Sequence, residues 1–247
     1  MRYFIEFSYS GKAYHGWQIQ PNAITVQQVL ENALSQLLSS TIELVGAGRT
    51  DAGVHALKMF AHFDYNEDFD LEKLIFRLNS FLPKDIAVYN IYSVNKDAHA
   101  RFDATSRTYI YRISTQKNAF TFEGCYYLKA DLNIKKMQQA ANKLFNYKNF
   151  KCFSRSNTDV KTYNCVIKEA KWTTESKELI FTISADRFLR NMVRAIVGTL
   201  IEIGSGKLNV DDFDAIITSE NRVNAGASAP AYGLYLSKIE YPKTIFI

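Results

Sequence analysis

Two kinds of hydrophobic spacing follow one another along the first 94 residues. Residues 2–9 alternate between apolar and polar side chains, which predicts a β-strand. Residues 25–39 place apolar side chains three and four positions apart, which predicts an amphipathic helix. Thr25 and Gln28 have the T-x-x-Q pattern of a capping box at its start. Further segments complete a β-α-β-β-α-β order: strands at 42–46, 57–65 and 86–94, and a helix at 71–82 that stops at Pro83.

The second half of the chain repeats this order of elements. The predicted elements are a strand at 105–113, a helix at 134–145, a hairpin of 161–174 and 178–186, an apolar helix at 188–202, a short helix after Asn209 and a strand at 233–240. Two such units predict an α+β protein of two ferredoxin-like modules, residues 1–103 and 104–247. We expect their sheets to join into one extended, mostly antiparallel sheet, with helices on one face and a central catalytic cleft.

Composition and charge narrow the class of protein. Of the 247 residues, 47% are hydrophobic and 22% charged, which excludes a disordered chain. The net charge of +5 permits a nucleic-acid partner without requiring one. The chain has no run of about 18 apolar residues, which is the length that a membrane-spanning helix needs, and residues 1–10 lack the apolar core of a signal peptide. We therefore expect a cytoplasmic protein. Its three cysteines have no metal-ligand spacing and no expected disulfide.

The strongest chemical signal is GAGRTDAGVHA, Gly46 to Ala56, which lies between two predicted strands. Its glycines allow the backbone to approach other groups closely. Arg49 and Asp51 are two residues apart, so the loop can hold a positioned carboxylate beside a cation. The alternative is an ordinary polar loop with an Asx-turn at Asp51. His55 is expected to be a structural residue at the start of the next strand.

Two further segments place aromatic and basic side chains on predicted elements. On the strand within Arg101–Arg112, Tyr109 and Tyr111 share one face and could form an exposed surface for base stacking, or could pack in the core. In the helix that follows residue 187, a stripe of polar residues accompanies an apolar face, and its members are Arg187, Asn191 and Arg194. A guanidinium among apolar residues needs an anion, which favours a paired rather than a solvated Arg194.

These segments together make the chain similar to the bacterial tRNA pseudouridine synthase A family, from its first strand to its last. The segments that carry the resemblance are YHGWQIQPNAITVQQVLENAL at 14–34, GAGRTDAGVHA at 46–56, SRTYIYR at 106–112, FLRNMVRAIVGTL at 188–200 and GLYL at 233–236. GRTDAGVHA is highly specific to this family. The resemblance therefore implies the family's activity, the isomerisation of uridine to pseudouridine in tRNA.

The resemblance also implies a role for individual residues. Asp51 matches the catalytic aspartate, and Arg194 matches the arginine that pairs with that carboxylate. Tyr109 matches the tyrosine that stacks on the target uracil, and Arg49 matches an arginine that helps to extrude the target base. The apolar wall of the pocket is matched by Leu234 and Leu236. Family members act as homodimers on uridines 38 to 40 in the anticodon arm of tRNA.

The implied reaction explains why so few kinds of residue are needed. It breaks the glycosidic bond of a uridine and rejoins the same uracil through carbon 5, so we expect neither a cofactor nor a metal. The carboxylate of Asp51 can act as nucleophile, or as base and stabiliser of a ribosyl cation. Phosphate contacts require focused positive charge. The candidate basic groups are Lys148, Lys151, Arg155 and Lys161, and Arg101, Arg107 and Arg112.

Two other functions remain compatible with the sequence. A non-catalytic RNA-binding protein explains the aromatic and basic residues but leaves Asp51 unexplained, since a carboxylate repels phosphate. RNA binding without release of the hydrogen at uridine C5 would identify it. A nucleoside-hydrolysing glycosidase would release free uracil, and the loop offers no evident second carboxylate to activate water.

Overall fold

The computed structural model describes residues 1–156 and 160–247 and shows an α+β fold, as predicted. The described residues form nine strands and five α-helices. They divide into two compact units, one of Met1–Thr105 with Leu236–Ile247 and one of Ser106–Tyr235. Within the described ranges, no helix has both the length and the apolar character that crossing a membrane requires.

The first unit has the predicted β-α-β-β-α-β order. Its elements are β1 (Arg2–Tyr9), α1 (Val26–Leu38), β2 (Val45–Gly46), β3 (His55–Asp64), α2 (Leu71–Phe81) and β4 (Ile86–Val94). Strand β1 lies between β4 and β3 and pairs antiparallel with both. Short β2 also pairs antiparallel with β3. Beyond β3 comes β9 (Leu234–Glu240), whose residues 236–240 belong to this unit.

Both helices of the first unit begin where their sequences supply a capping side chain. The hydroxyl of Thr25 accepts a hydrogen bond from the backbone N–H of Gln28 at 3.4 Å, which confirms Thr25 as the N-cap. The carboxylate of Asp70 accepts from the N–H of Lys73 at 3.0 Å in the same way. Helix α2 ends at Phe81, just before Pro83, which lacks the N–H needed to continue a helix.

Strand β2 is much shorter than the predicted strand over 42–46. The backbone N–H of Ile42 donates to Ser35 Oγ at 2.9 Å, and that of Leu44 donates to Glu31 Oε1 at 2.8 Å. Both acceptors are side chains of helix α1. Because these donors are already occupied, only Val45–Gly46 pairs with β3.

The C-terminal residues 241–247 pack on the sheet of the first unit. The ring of Tyr241 lies 5.2 Å from that of Phe4 and 5.3 Å from that of Phe60, and the ring of Phe246 lies 5.4 Å from that of Tyr92. The N–H of Ile247 also donates to the backbone carbonyl oxygen of residue 93 at 3.1 Å. Strands β1 and β3 are consequently buried on both faces, since neighbouring residues of each are inaccessible to solvent.

The second unit contains the elements predicted for the other half except for most of the last strand, and it has an additional two-residue strand. They are β5 (Ser106–Ser114), β6 (Tyr126–Tyr127), α3 (Ile134–Lys143), β7 (Ile167–Glu175), β8 (Glu178–Ala185), α4 (Met192–Gly204) and α5 (Asp212–Thr218). Strand β8 pairs antiparallel with β5 and β7, and β6 pairs parallel with β5. Ser176 and Lys177 turn the predicted hairpin with positive φ angles of 47° and 74°.

Two element starts in the second unit differ from the prediction. Strand β7 begins at Ile167 rather than 161, because the N–H of Cys165 is bound to the carbonyl oxygen of Lys148 at 2.9 Å. Helix α4 begins at Met192 rather than 188, because Asn191 has a left-handed backbone with φ of 66°. The predicted helical stripe of Arg187, Asn191 and Arg194 is therefore wrong, since only Arg194 lies within the helix.

Candidate active site

The loop that carries Asp51 joins β2 to β3 in the first unit. The N–H of Ala47 donates to the carbonyl oxygen of Phe60 at 2.8 Å and so fixes the loop's beginning. The N–H of Val54 donates to the backbone oxygen of Asp51 at 3.1 Å and closes a turn, in which Gly53 has a φ of +77°. A side chain is strained at this angle, so the glycine allows Asp51 to sit at a tight turn.

Residues that follow β1 pack directly on this loop. A Cβ atom on Gly16 would lie 2.4 Å from the carbonyl oxygen of Thr50, and one on Gly46 would lie 2.5 Å from the indole of Trp17. The N–H of Trp17 donates to the same oxygen of Thr50 at 3.3 Å. Both glycines are therefore required for the close packing of YHGW on the loop.

The loop presents its side chains alternately. Thr50 is buried, and its hydroxyl is hydrogen-bonded to the hydroxyl of Tyr9 at 2.8 Å. In the sequence, Thr50 is preceded by Arg49, which is exposed, and followed by Asp51, which is half-buried. The buried Thr50 side chain thus anchors the backbone between a half-buried Asp51 and an exposed Arg49. His55 is buried at the start of β3, where its Nδ1 accepts from the N–H of Gly11 at 3.2 Å, in agreement with a structural role.

Tyr109 and Tyr111 lie on β5 in the second unit, and their environments differ. Tyr111 is fully buried, and its hydroxyl donates to the carbonyl oxygen of Pro230 at 2.8 Å. Burial raises the pKa of Tyr111 far above its usual value. The prediction of an exposed stacking surface is therefore wrong for Tyr111, whose ring lies in the core. Tyr109 is half-buried, and Phe188 packs edge-on against its ring at a centroid distance of 5.2 Å.

Arg194 lies in the first turn of α4 and is half-buried. Its Nε donates to the carbonyl oxygen of Ala229 at 2.8 Å, and the N–H of Ala229 donates to the carbonyl oxygen of Arg194 at 2.9 Å. This reciprocal pair holds the base of the guanidinium in one orientation. Burial explains why Arg194 has fixed partners rather than a solvated position.

Residues 225–229, which we call the strap, run along α4 and carry Ala229. A Cβ atom on Gly198 would lie 1.7 Å from the carbonyl oxygen of Ala227, so helix and strap are in backbone contact. Buried Thr199 accepts the N–H of Gly226 at 3.0 Å through its hydroxyl. The strap is thus fixed to the helix on both sides of the Ala227 contact, and its position determines that of Arg194.

Two side chains from outside the strap bind its residue Ser228. Ser228 Oγ lies 2.7 Å from Asn191 Nδ2 and 2.9 Å from Arg222 Nη2, which both donate to it. Asn191 is the left-handed residue that precedes α4. Sequence reasoning did not identify the strap. The available signal was the run of small residues in NAGASAPA, which is typical of close backbone packing.

The remaining predicted residues are placed as follows. Leu234 and Leu236 are buried near the start of β9. In one predicted basic group, the guanidinium of Arg107 donates to the carbonyl oxygen of Asp186 at 2.9 Å, and that of Arg112 pairs with Glu178 at 2.8 Å. These two arginines are engaged within the second unit.

The candidate residues are distributed over the two units. Arg49, Asp51 and Leu236 belong to the first, and Tyr109, Arg194 and Leu234 to the second. The structure brings Arg49 and Asp51 together on one loop.

Comparison with known proteins identifies the family. A family model described as tRNA pseudouridine synthase matches residues 6–103 and 140–242. A protein of Bacteroides fragilis named tRNA pseudouridine synthase A is 55% identical over 247 residues, which cover 99% of this chain and 98% of that protein. Proteins with the same name from Parabacteroides distasonis and Porphyromonas gingivalis are 53% and 50% identical, and each alignment covers 98% or more of both chains. The chain belongs to the tRNA pseudouridine synthase family, whose members are isomerases that act on uridine in tRNA.

Proposed function

We propose that this protein converts uridine to pseudouridine in the anticodon stem-loop of tRNA, at positions 38 to 40, with Asp51 as its catalytic carboxylate. The relatives named tRNA pseudouridine synthase A support the choice of reaction and substrate. The observation that carries the proposal is the tight turn at Asp51, where backbone hydrogen bonds and the close packing of Gly16 on Thr50 fix the backbone that presents a half-buried carboxylate.

The reaction breaks the bond between uracil N1 and ribose C1′ and forms a bond between uracil C5 and C1′. The proton on C5 is lost and N1 gains one, so atoms balance without any redox step or co-reactant. A fixed carboxylate can attack the sugar or base, or stabilise a ribosyl cation. We assign this role to Asp51, and to Arg194 the role of pairing with that carboxylate and orienting it.

Tyr109 is the proposed platform for the detached uracil. A flat ring allows the base to turn in its own plane and hinders its escape, and the edge-on packing of Phe188 fixes the tyrosine ring. A base in an RNA helix must first leave its stack, at a cost of a few kcal/mol. The exposed side chain of Arg49 is suited to occupy the vacated space. Leu234 and Leu236 supply apolar surface that keeps water from the reacting sugar.

The same proposal includes partners and location. The catalytic loop lies in the first module, residues 1–103, and Tyr109 and Arg194 lie in the second, residues 104–247. The protein acts as a homodimer in the cytoplasm, where its tRNA substrate is made, and it needs no cofactor or metal because the reaction is an internal rearrangement.

The test compares the wild-type protein with Asp51→Asn on tRNA labelled with tritium at uridine C5. Tritium release and mapping of pseudouridine should both disappear in the variant, because the amide has the shape of the carboxylate without its charge. Asp97→Asn, at an exposed position, is the matched control and should retain activity. An Asp51→Asn variant that modifies tRNA at the wild-type rate contradicts the assignment. Free uracil as the product of the wild-type protein would instead identify a hydrolase.

A further inference from the structure

A phenylalanine is presented to solvent on the turn that precedes β5. The side chain of Phe102 is 74% exposed although it belongs to a well-packed unit. Its ring lies 4.2 Å from the ring of His99, with an angle of 37° between their planes. The guanidinium of Arg101 lies 5.7 Å from the centroid of the same ring, in cation–π geometry. The ring of Phe102 thus contacts the imidazole of His99, lies within cation–π range of Arg101, and is otherwise largely exposed to solvent.

Residues 98–103, which we call the platform turn, are fixed by internal hydrogen bonds. His99 Nδ1 accepts from the N–H of Arg101 at 3.1 Å and from that of Phe102 at 3.3 Å. Asp103 Oδ2 accepts from the N–H of His99 at 2.7 Å, and the N–H of Asp103 donates to the carbonyl oxygen of His99 at 3.0 Å. The turn therefore has a defined shape that holds Phe102 outwards.

The platform turn is also attached to the sheet beneath it. The N–H of Ala100 donates to Nδ1 of buried His62 at 3.1 Å, and its carbonyl oxygen accepts from the hydroxyl of Tyr241 at 2.6 Å. The carbonyl oxygen of Ala98 accepts from Arg2 at 3.0 Å. Burial lowers the pKa of His62 to about 4, so its Nδ1 remains an acceptor at neutral pH. Because these hydrogen bonds fix the platform turn, the exposure of Phe102 is a property of the folded turn and does not arise from mobility.

The charges of the platform turn favour an anionic partner. Asp103 directs its carboxylate to a backbone N–H within the turn, whereas Arg101 is exposed. A rigid aromatic face beside an exposed guanidinium suits a nucleotide, because the base can stack on the ring and the phosphate can bind the cation. tRNA is the substrate class of this family and supplies unpaired nucleotides in its loops.

We propose that the platform turn is a second RNA contact, in which an unpaired base of the bound tRNA stacks on Phe102 and Arg101 binds an adjacent phosphate. This proposal rests on tRNA as the substrate and is separate from the roles of Asp51, Tyr109 and Arg194. It makes Phe102 a determinant of tRNA affinity rather than of the chemical step.

The chain offers a matched control for this proposal. Phe76 on helix α2 is 73% exposed and is followed by exposed Arg77. The two phenylalanines are therefore almost equally exposed, and each is adjacent in sequence to an exposed arginine. Arg77 lies 3.5 Å from the carbonyl oxygen of Leu37 on the adjoining helix. Phe76→Ala removes the same apolar surface from solvent contact as Phe102→Ala, at a site without the platform turn.

The experiment measures Kd for unmodified tRNA, together with KM and kcat, for both phenylalanine variants. Loss of one stacked base raises Kd and KM about 5- to 150-fold in Phe102→Ala, with a much smaller change in kcat. Phe102→Trp should retain affinity, and Phe102→Leu should not, because leucine is apolar without a stacking face. Arg101→Gln should reduce the slope of log Kd against log salt concentration by about one contact. Phe76→Ala should match the wild-type protein.

Two results overturn the proposal. In the first, Phe102→Ala, folded as judged by circular dichroism, binds tRNA as tightly as Phe76→Ala. In the second, Phe102→Ala changes the sedimentation of the protein without changing its tRNA affinity, so that the ring contacts another protein chain. Failure of the proposed catalytic role is distinguishable, because a fully active Asp51→Asn variant would leave the effect of Phe102→Ala on Kd intact.

Discussion

Replacing Thr199 by valine tests whether the strap controls Arg194. Thr199 is completely buried in α4, where its hydroxyl donates to the carbonyl oxygen of Ala195 at 2.9 Å and accepts the N–H of Gly226 at 3.0 Å. Valine has nearly the same volume and shape, so no cavity forms. The substitution removes both hydrogen bonds of the hydroxyl and leaves the N–H of buried Gly226 without this partner.

The expected cost follows from that one buried donor. A buried N–H deprived of its partner costs about 1–3 kcal/mol of folding free energy. For a protein of this size, each kcal/mol lowers Tm by roughly 2–4 °C. We therefore expect Thr199→Val to unfold about 2–12 °C below the wild-type protein.

Activity should fall as well, because the strap carries the carbonyl oxygen that holds Arg194. A displacement of about 1 Å at a reacting group can cost on the order of a hundredfold in rate. We expect kcat to fall roughly tenfold or more, with KM for tRNA nearly unchanged because the substrate surface is intact.

Thr199→Ser is the control for this experiment. Serine keeps the hydroxyl and loses one methyl group, at a cost of roughly 1 kcal/mol, and should retain the kcat of the wild-type protein. Tm is measured by thermal unfolding and kcat by tritium release under saturating tRNA. A valine variant with wild-type Tm and kcat would refute the reasoning, and so would serine and valine variants with the same loss of kcat.

Two further predictions concern a stacking ring and a buried histidine. Tyr109→Phe should retain uracil stacking and Tyr109→Ala should impair turnover in the tritium assay, and full activity in both would remove Tyr109 from the site. Burial holds the pKa of His62 at about 4, below the unfolded value of about 6.5, so the unfolded chain binds the proton first as pH falls. Acidification from pH 6.5 to 4 should therefore cost up to about 3 kcal/mol of stability in urea titrations. In His62→Asn, whose amide oxygen can replace Nδ1 as acceptor, this dependence on pH should flatten, and an unchanged slope would contradict the assignment.

Elements that follow from local pattern were predicted well. Strands β1 and β4 have the bounds expected from the sequence, because alternation and flanking turn residues define them. The start of α1 was predictable because Thr25 caps it locally. The start of α4 was not, because Asn191 takes its left-handed backbone beside Ser228, 37 positions away in the sequence. The shortness of β2 likewise depends on side chains of α1 that compete for its N–H groups.

The sequence motifs predicted those parts of the candidate site that lie within a single motif. The glycine-rich segment indicated a fixed Asp51 and its loop, and the structure supplies the reason in the packing of Gly16 on Thr50. Period-two alternation could not distinguish Tyr109 from Tyr111, which share a face. Tyr111 is buried beside Pro230 and Gly233, which are distant from it in sequence, so local alternation could not predict its burial.

The return of residues 236–247 to the first unit has a consequence for biosynthesis. Translation delivers β1 to β4 first, yet the second edge of β3 is paired only with the two residues of β2, and the aromatic face lacks the rings of Tyr241 and Phe246, until residues 236–247 are synthesised. Residues 106–235 are all available earlier. Chains that stop before residue 236 would have a mostly unpaired sheet edge and exposed phenylalanines, features that favour aggregation. Stable folding of the first unit therefore depends on the synthesis of residues 236–247.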